Sequence, residues 1–475
     1  MRRRHFLRII GSTLLAGSGA IIRCAGKARP NFIVILVDDL GWTDLSCCGS
    51  DLYETPNIDR LAAGGVRFTH AYAACTVCSP TRAAMMTGKY PARLHITDWI
   101  TGHRYPYAKL LPPDWTMRLP LEEITIAETL KTAGYATAHI GKWHLGDAPY
   151  WPEHQGFDRN VAGYSAGQPP SYFYPYMREG QPENRIPTLE GGAPGEYLTD
   201  REAEEACRFI EDNSDRPFFL YLAHYAVHTP LQAKSDLEAK YRERLRPGLR
   251  HNNPTYAAMI QSVDESLGTI TAKLNQLGLS QKTVILFTGD NGGLTLRGVT
   301  DNSPLRAGKG SPYEGGVRVP LICRAPGLGA AGAECGEPVM TIDVQPTLAQ
   351  MAGLEARGDI DGLSLVPLLR DPDASLGREA LYWHYPHYHP GGAAPYGAVR
   401  EGAYKLIEFF EDGRLELYHL LDDAGESRDL AVEMPEMALG LQRKLQRWRD
   451  RVGAQMPRPN PDFLPERAAE TRGAW

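Results

Sequence analysis

Four short apolar runs, each ending in a burst of polar residues, constrain this chain more than any other feature. Phe32 to Val37 leads into Asp38 and Asp39, and YATAHIGKWHLG runs through Ile140 into Lys142 and His144. PFFLYLAHYAVHTP runs through Leu222 into His224 and His228, and Val284 to Phe287 leads into Asp290 and Asn291. Unbroken runs of this length suit strands buried on both faces, as in a central parallel sheet. Helical signals lie between them. Thr55 reads as a cap before Pro56, with Gly64-Gly65 as the stop, and Thr125 with Glu128 reads as a capping box ending at Gly134. Ile260, Val263, Leu267, Ile270 and Leu274 recur at helical spacing. The expectation is an α/β fold with a doubly wound, mostly parallel central sheet flanked by helices. Ligands of such sheets bind beyond the carboxyl ends of the strands, where all four polar bursts fall. One burst is a turn; four at one end are a site.

A chain of 475 residues suits one large domain and a smaller one. After about residue 375 the texture changes to short strands and hairpins, with an EDGR turn at Glu411 to Arg414 and an amphipathic helix from about Pro435 to Arg451. This reads as a smaller C-terminal antiparallel-sheet subdomain plus helix. The expected division is 1–27 leader, 28–375 catalytic domain, 376–455 C-terminal α+β subdomain and 456–475 tail. The leader has a basic start (Arg2, Arg3, Arg4, Arg8) and a moderately apolar stretch from Ile9 to Ile22, a signal peptide with a twin-arginine look. That implies export to the periplasm or beyond. Lipid anchoring at Cys24 is the other reading, disfavoured because Arg23 stands where lipidation sites need a small residue. No later segment is long and apolar enough to span a bilayer. The net charge of −6 argues against nucleic acid as a partner. It also means that an anionic substrate needs a local positive site.

Eight cysteines lack the paired CxxC spacing of a structural zinc site, although Cys75 and Cys78 form one CxxC. The decisive segment is CSPTRAAMMTGKYPARL, Cys78 to Leu94. Pro80 in a first turn places Cys78 at a helix N-terminus, where free N–H groups and the helix dipole favour anions. Arg82 adds a permanent cation to the same pocket. A lone cysteine is ordinarily a buried core residue, but the Cys-x-Pro-x-Arg spacing followed by Thr87-Gly88 speaks against that here. Asp38 and Asp39 are adjacent carboxylates that repel unless a cation holds them. With Asp290 and Asn291 they make an oxygen set that suits calcium.

On these residues the chain resembles the formylglycine-dependent (type I) sulfatases of the alkaline-phosphatase superfamily, from Pro30 to about residue 325 and more loosely beyond. Within that family the likeness is to bacterial glycan sulfatases of the arylsulfatase A and N-acetylgalactosamine sulfatase type. The resemblance implies a nucleophile made by converting Cys78 to formylglycine, through a formylglycine-generating or radical sulfatase-maturating enzyme. It implies one Ca2+ ion bound by Asp38, Asp39, Cys78, Asp290 and Asn291. Lys142 and Lys309 resemble the family's sulfate-contacting lysines, His144 its base and His228 the histidine beside the leaving oxygen. His224 reads as structural. Three cations (Arg82, Lys142, Lys309) plus calcium would stabilise charge growing on a tetrahedral anion.

The implied substrate is a sulfated carbohydrate, attacked by exo action on galactose- or N-acetylgalactosamine-type units. Asp98, Trp99, His103 and Arg104 in RLHITDWITGHR resemble a glycan-sulfatase stretch, and His384, His387 and His389 lie among aromatic residues suited to a sugar. The bland reading is that these rings pack the two domains together. Two other functions remain open: a phosphonate or phosphate monoester hydrolase on the same fold, and a non-catalytic glycan-binding relative.

Overall fold

The apolar run from Asn31 to Val37 becomes a central strand of an eight-stranded sheet in the computed structural model, which describes residues 29–329, 331–391 and 393–471. The leader expected over 1–27 and the alternative at Cys24 lie outside the described residues. In chain order the sheet's strands are β1 (Asn31–Val37), β2 (Val66–Phe68), β3 (Ala136–Gly141), β4 (Arg159–Val161), β5 (Phe218–His224), β6 (Thr283–Gly289), β7 (Leu321–Arg324) and β8 (Ala333–Cys335). They lie side by side as β8-β2-β7-β6-β1-β5-β3-β4. β6, β1, β5, β3 and β4 are parallel, while β7 runs against both of its neighbours. The expected mostly parallel sheet is therefore present.

Both faces of β1 are covered, which explains its lack of alternation. Phe32, Val34 and Leu36 pack with Ile126 and Leu130 of one helix, and Ile33, Ile35 and Val37 pack with Ile210 and Ile260 of others. Each such side chain contributes about 1.5–3 kcal/mol by leaving water. The helices that frame the site are α1 (Pro56–Ala63), α2 (Cys78–Thr87), α3 (Ile126–Lys131), α4 (Leu198–Asp212), α5 (Pro254–Gln276) and α6 (Pro435–Val452). The Thr125–Glu128 capping box forms as expected. At α1 the cap differs. Thr55 holds the cap position but its hydroxyl donates to Asp59, and the Asp264 carboxylate of α5 instead accepts the Asn57 and Ile58 N–H groups at 2.8 Å each.

The second sheet is antiparallel and ordered as in the chain: β9 (Leu381–Tyr385), β10 (Tyr396–Glu401), β11 (Tyr404–Phe409) and β12 (Leu415–His419). The EDGR turn joins β11 to β12, with Gly413 at φ 70°. α6 covers this sheet, where Trp448 stacks on Tyr382 at 4.8 Å. One apolar cluster runs from α6 through Trp383 to Tyr72, Val77 and Ala84, so the small sheet supports α2 directly. The tail is tied down as well. Arg458–Pro459 pairs with Leu110–Leu111, and Asn460 Nδ2 donates to the carbonyls of Pro106 and Ala108. Among the described residues no helix is long and apolar enough to cross a membrane.

Candidate active site

The strand order β6-β1-β5-β3 sets four polar bursts side by side at one edge of the sheet. The turn after β1 is fixed by the Asp38 N–H donating to the Ala226 carbonyl and the Val227 N–H donating to the Asp38 carbonyl. Asp39 and His144 both adopt left-handed backbone, at φ 59° and 60°, a conformation that costs energy for residues with a Cβ and collects at functional sites. α2 enters from below, with an extended Val77 before it and Cys78 as its first residue.

The predicted residues converge on Cys78. Its Sγ lies 3.4 Å from His144 Nδ1, and Asp38, Asp290 and Cys78 offer ligand atoms within 4.8 Å of one another. Arg82 Nε donates to Asp290 Oδ2 at 2.9 Å, and another nitrogen of its guanidinium donates to the Lys142 carbonyl at 2.7 Å. Lys142 Nζ donates to Asp38 Oδ2 at 2.6 Å, and Lys309 Nζ donates to Asp39 Oδ2 at 2.8 Å. Asn291 Nδ2 donates to Asp39 Oδ1 at 2.8 Å, and His228 Nε2 stands 3.6 Å from Asp39 Oδ2. His224 lies apart, held between Glu202 at 2.6 Å and Ser266 at 3.0 Å, as a structural histidine should be.

The electrostatics follow from crowding charge in a dry place. Burial, with Asp290 beside it, pushes the Asp38 carboxyl up to about 8. Burial also works against ionised Asp39, but Lys309 and His228 outweigh it and hold that carboxyl well below the usual range. Burial raises the Cys78 thiol against the pull of Lys142 and Lys309. Burial, then Lys142, lowers the His144 ring, and burial, then Lys309, lowers His228 to about 3. A divalent cation fits here. Asp38 Oδ1 and Asn291 Oδ1 are buried without a hydrogen-bond partner, and the donors are hard oxygens of the kind calcium takes. Cys75 sits in the apolar cluster under α2, and among the described residues no cysteine is paired.

The expected substrate residues divide. Trp99, His103 and His389 form one wall: the Trp99 ring lies 6.3 Å from His144 and 4.9 Å from His103, which meets His389 at 5.4 Å. His389 also abuts Gly310, beside Lys309. Arg104 is exposed next to this wall in sequence. Asp98 is buried behind it, accepting from Tyr385 Oη at 2.7 Å and the Trp99 N–H at 2.9 Å, and burial pushes its carboxyl up to about 7. His387 backs Asp98 directly, its Nδ1 3.8 Å from Asp98 Oδ2, and is held by Thr97 Oγ1 at 2.8 Å from its Nε2. His384 is not brought to the others. It turns to the Gln455 carbonyl at 2.8 Å and packs on Phe410.

Sequence reasoning passed over three contributors. Tyr385 holds Asp98. Asn302 Nδ2 ties the loop of Lys309 through the Gly293 and Ala307 carbonyls, and the Ile100 carbonyl meets His144 Nε2. The polar tip of Tyr385 in a buried strand was a usable signal; a backbone carbonyl leaves none.

Three cations paired with three carboxylates around Cys78, at the carboxyl edge of this sheet, have the make-up of a hydrolase site for a tetrahedral anion. The sulfatase family model matches residues 30–354, and one for the C-terminal part of N-sulphoglucosamine sulphohydrolase matches 308–451; the chain belongs to the sulfatase family. It is a sulfuric ester hydrolase. It is 34% identical to a sulfatase of Formosa agariphila, covering 92% of this chain and 91% of that one, and 36% identical to human arylsulfatase A over 81% and 75%. Its fold is similar to a solved structure of Ps i-CgsB in complex with k-i-k-neocarrahexaose, with a TM-score of 0.76 and 29% identity over 92% and 95% of the two chains.

Proposed function

We propose that the chain removes sulfate from carbohydrate sulfate esters, with residue 78 matured to formylglycine and one calcium ion held by Asp38, Asp39, Asp290 and Asn291 beside it. The observation carrying this reading is the convergence of two aspartates, two lysines, an arginine and a histidine on a buried Cys78 at a helix N-terminus. When present, formylglycine supplies a hydroxyl nucleophile for sulfur and calcium a Lewis acid for a sulfate oxygen. The chain's own residues do the rest. Arg82 holds Asp290 in place. Lys142 and Lys309 supply positive charge to the sulfate oxygens as the ester bond breaks. His144 takes a proton at Nδ1 from residue 78. His228 Nδ1 donates to the Thr229 carbonyl at 2.9 Å, which leaves Nε2 facing Asp39; a proton gained at Nε2 when the sulfate's negative charge enters the pocket is the one it passes to the leaving oxygen.

The sugar rests against Trp99, His103 and His389, with Arg104 at the rim. Exo action on galactose- or N-acetylgalactosamine-type sulfates is the substrate reading, and a relative named N-acetylgalactosamine-6-sulfatase, from mouse and 34% identical over 75% of this chain and 69% of that one, supports its N-acetylgalactosamine part. The reading places the mature enzyme outside the cytoplasm, delivered by the twin-arginine-like leader after modification by a maturation enzyme. Changing Arg3 and Arg4 to Lys is then expected to abolish export.

The main test is sulfate release by purified protein from a panel of sulfated mono- and oligosaccharides, with phosphate and phosphonate monoesters as comparators. Release from galactose- or N-acetylgalactosamine-type sulfates is expected, lost on calcium chelation and restored by calcium. Turnover of aryl sulfates alone overturns the carbohydrate reading. Unmodified Cys78 in fully active protein, seen by mass spectrometry, overturns the formylglycine reading.

A further inference from the structure

The Ser79 hydroxyl, next to Cys78 and wholly buried, makes contacts that the reading above leaves unused. It donates to the His144 carbonyl at 2.9 Å and accepts the Ile100 N–H at 3.1 Å. The same Ile100 turns its own carbonyl to His144 Nε2. A carbonyl only accepts, so Nε2 carries the ring proton, and Nδ1 presents its lone pair to Cys78 Sγ at 3.4 Å. Ser79, Ile100 and His144 therefore close a ring of contacts around the histidine. The loop bearing Ile100 is anchored at its other end by Asp98, which accepts from the Trp99 N–H and from Tyr385 Oη of the C-terminal sheet. His144 needs such external support, because its left-handed backbone is not a conformation that it would hold alone.

We propose that Ser79 is a positioning residue for the reaction: its hydroxyl ties together the two backbone segments that aim His144 Nδ1 at residue 78. This rests on the reading of residue 78 as nucleophile and His144 as its base. Removing the hydroxyl takes this donor from the buried His144 carbonyl and this acceptor from the half-buried Ile100 N–H, and both segments relax toward new partners. The ring moves with them. A displacement of about 1 Å between reacting groups is enough to cost on the order of 100-fold in rate.

The test is a double-mutant cycle of Ser79→Ala and His144→Ala in full-length protein, assayed with 4-nitrophenyl sulfate. Rates are expressed per formylglycine, counted by mass spectrometry of the peptide containing residue 78, so that altered maturation does not enter. Ser79→Ala is expected to lower kcat about 10- to 100-fold with KM nearly unchanged, and to have no further effect once His144 is alanine. An unchanged kcat, or the same loss with and without His144, overturns the inference while leaving the proposed function intact. Wild-type protein that carries formylglycine and releases no sulfate from 4-nitrophenyl sulfate or from any sulfated saccharide overturns both.

Discussion

Inside the pocket each cation is matched to a particular oxygen, so the lysines are not interchangeable. Lys142 faces Asp38 and Lys309 faces Asp39, and both ammonium groups are almost wholly out of water. Methionine at either position keeps much of the stem volume and removes the charge. We expect Lys142→Met or Lys309→Met to lower kcat/KM by about 10²–10³-fold, the usual result of deleting one preorganised electrostatic group. Steady-state kinetics on matured variants check this; a loss below tenfold at both positions would remove them from the charge-stabilising set. Cys78 and Arg82 were legible in the sequence because they share one turn of one helix. The aim of His384 was not. In β9 side chains alternate, sending Trp383 and Tyr385 toward Ala73 and Asp98 and Tyr382 and His384 toward α6 and the chain end. A histidine among aromatic residues does not announce which face it will take.

Helices show the same division between local and distant causes. The capping box at α3 is written within four residues, and the structure reproduces it: Thr125 Oγ1 accepts the Glu128 N–H at 3.1 Å and Glu128 Oε2 accepts the Thr125 N–H at 2.8 Å. Thr125→Ala is expected to destabilise the fold by about 1 kcal/mol, read by urea unfolding, and to spare kcat because α3 touches none of the reacting groups. An unfolding midpoint equal to that of wild type would show that the box is dispensable. At α1 the local signal pointed to Thr55, whereas the carboxylate that caps the helix comes from Asp264, about two hundred residues on. A helix N-terminus needs an acceptor in space, from whatever part of the chain delivers one.

Across the whole molecule, a buried ion cluster ties the small sheet to the segment between β6 and β7 of the large one. Lys405 of β11 lies 3.1 Å from Glu314 and 2.9 Å from Glu426, while Glu426 Oε2 accepts the Glu314 N–H at 2.6 Å. Glu314 follows the loop of Lys309, so this cluster carries the C-terminal sheet's support to the pocket. Burial, opposed by Lys405 and reinforced by Glu314, raises the Glu426 carboxyl from 4.5 to about 7. A carboxyl raised on folding binds its proton more tightly in the native state. Its contribution is complete below pH 4.5 and is lost as pH rises through about 7. Stability from this group therefore falls between those limits, and Glu426→Gln should flatten the fall. Urea unfolding of both chains across that window decides it; parallel pH profiles sink the assignment. By itself the sequence determined which strands are buried and which residue types stand at their ends, because burial of apolar surface is non-directional and leaves its mark in local composition. It also determined the linear signature around Cys78. Only the tertiary structure decided that Asp38, His144, His228, Asp290 and Lys309 meet, since that depends on β6, β1, β5 and β3 lying side by side. It also decided which nitrogen of His144 faces Cys78, because hydrogen bonds are directional and the carbonyl that fixes the ring belongs to a residue 44 positions away.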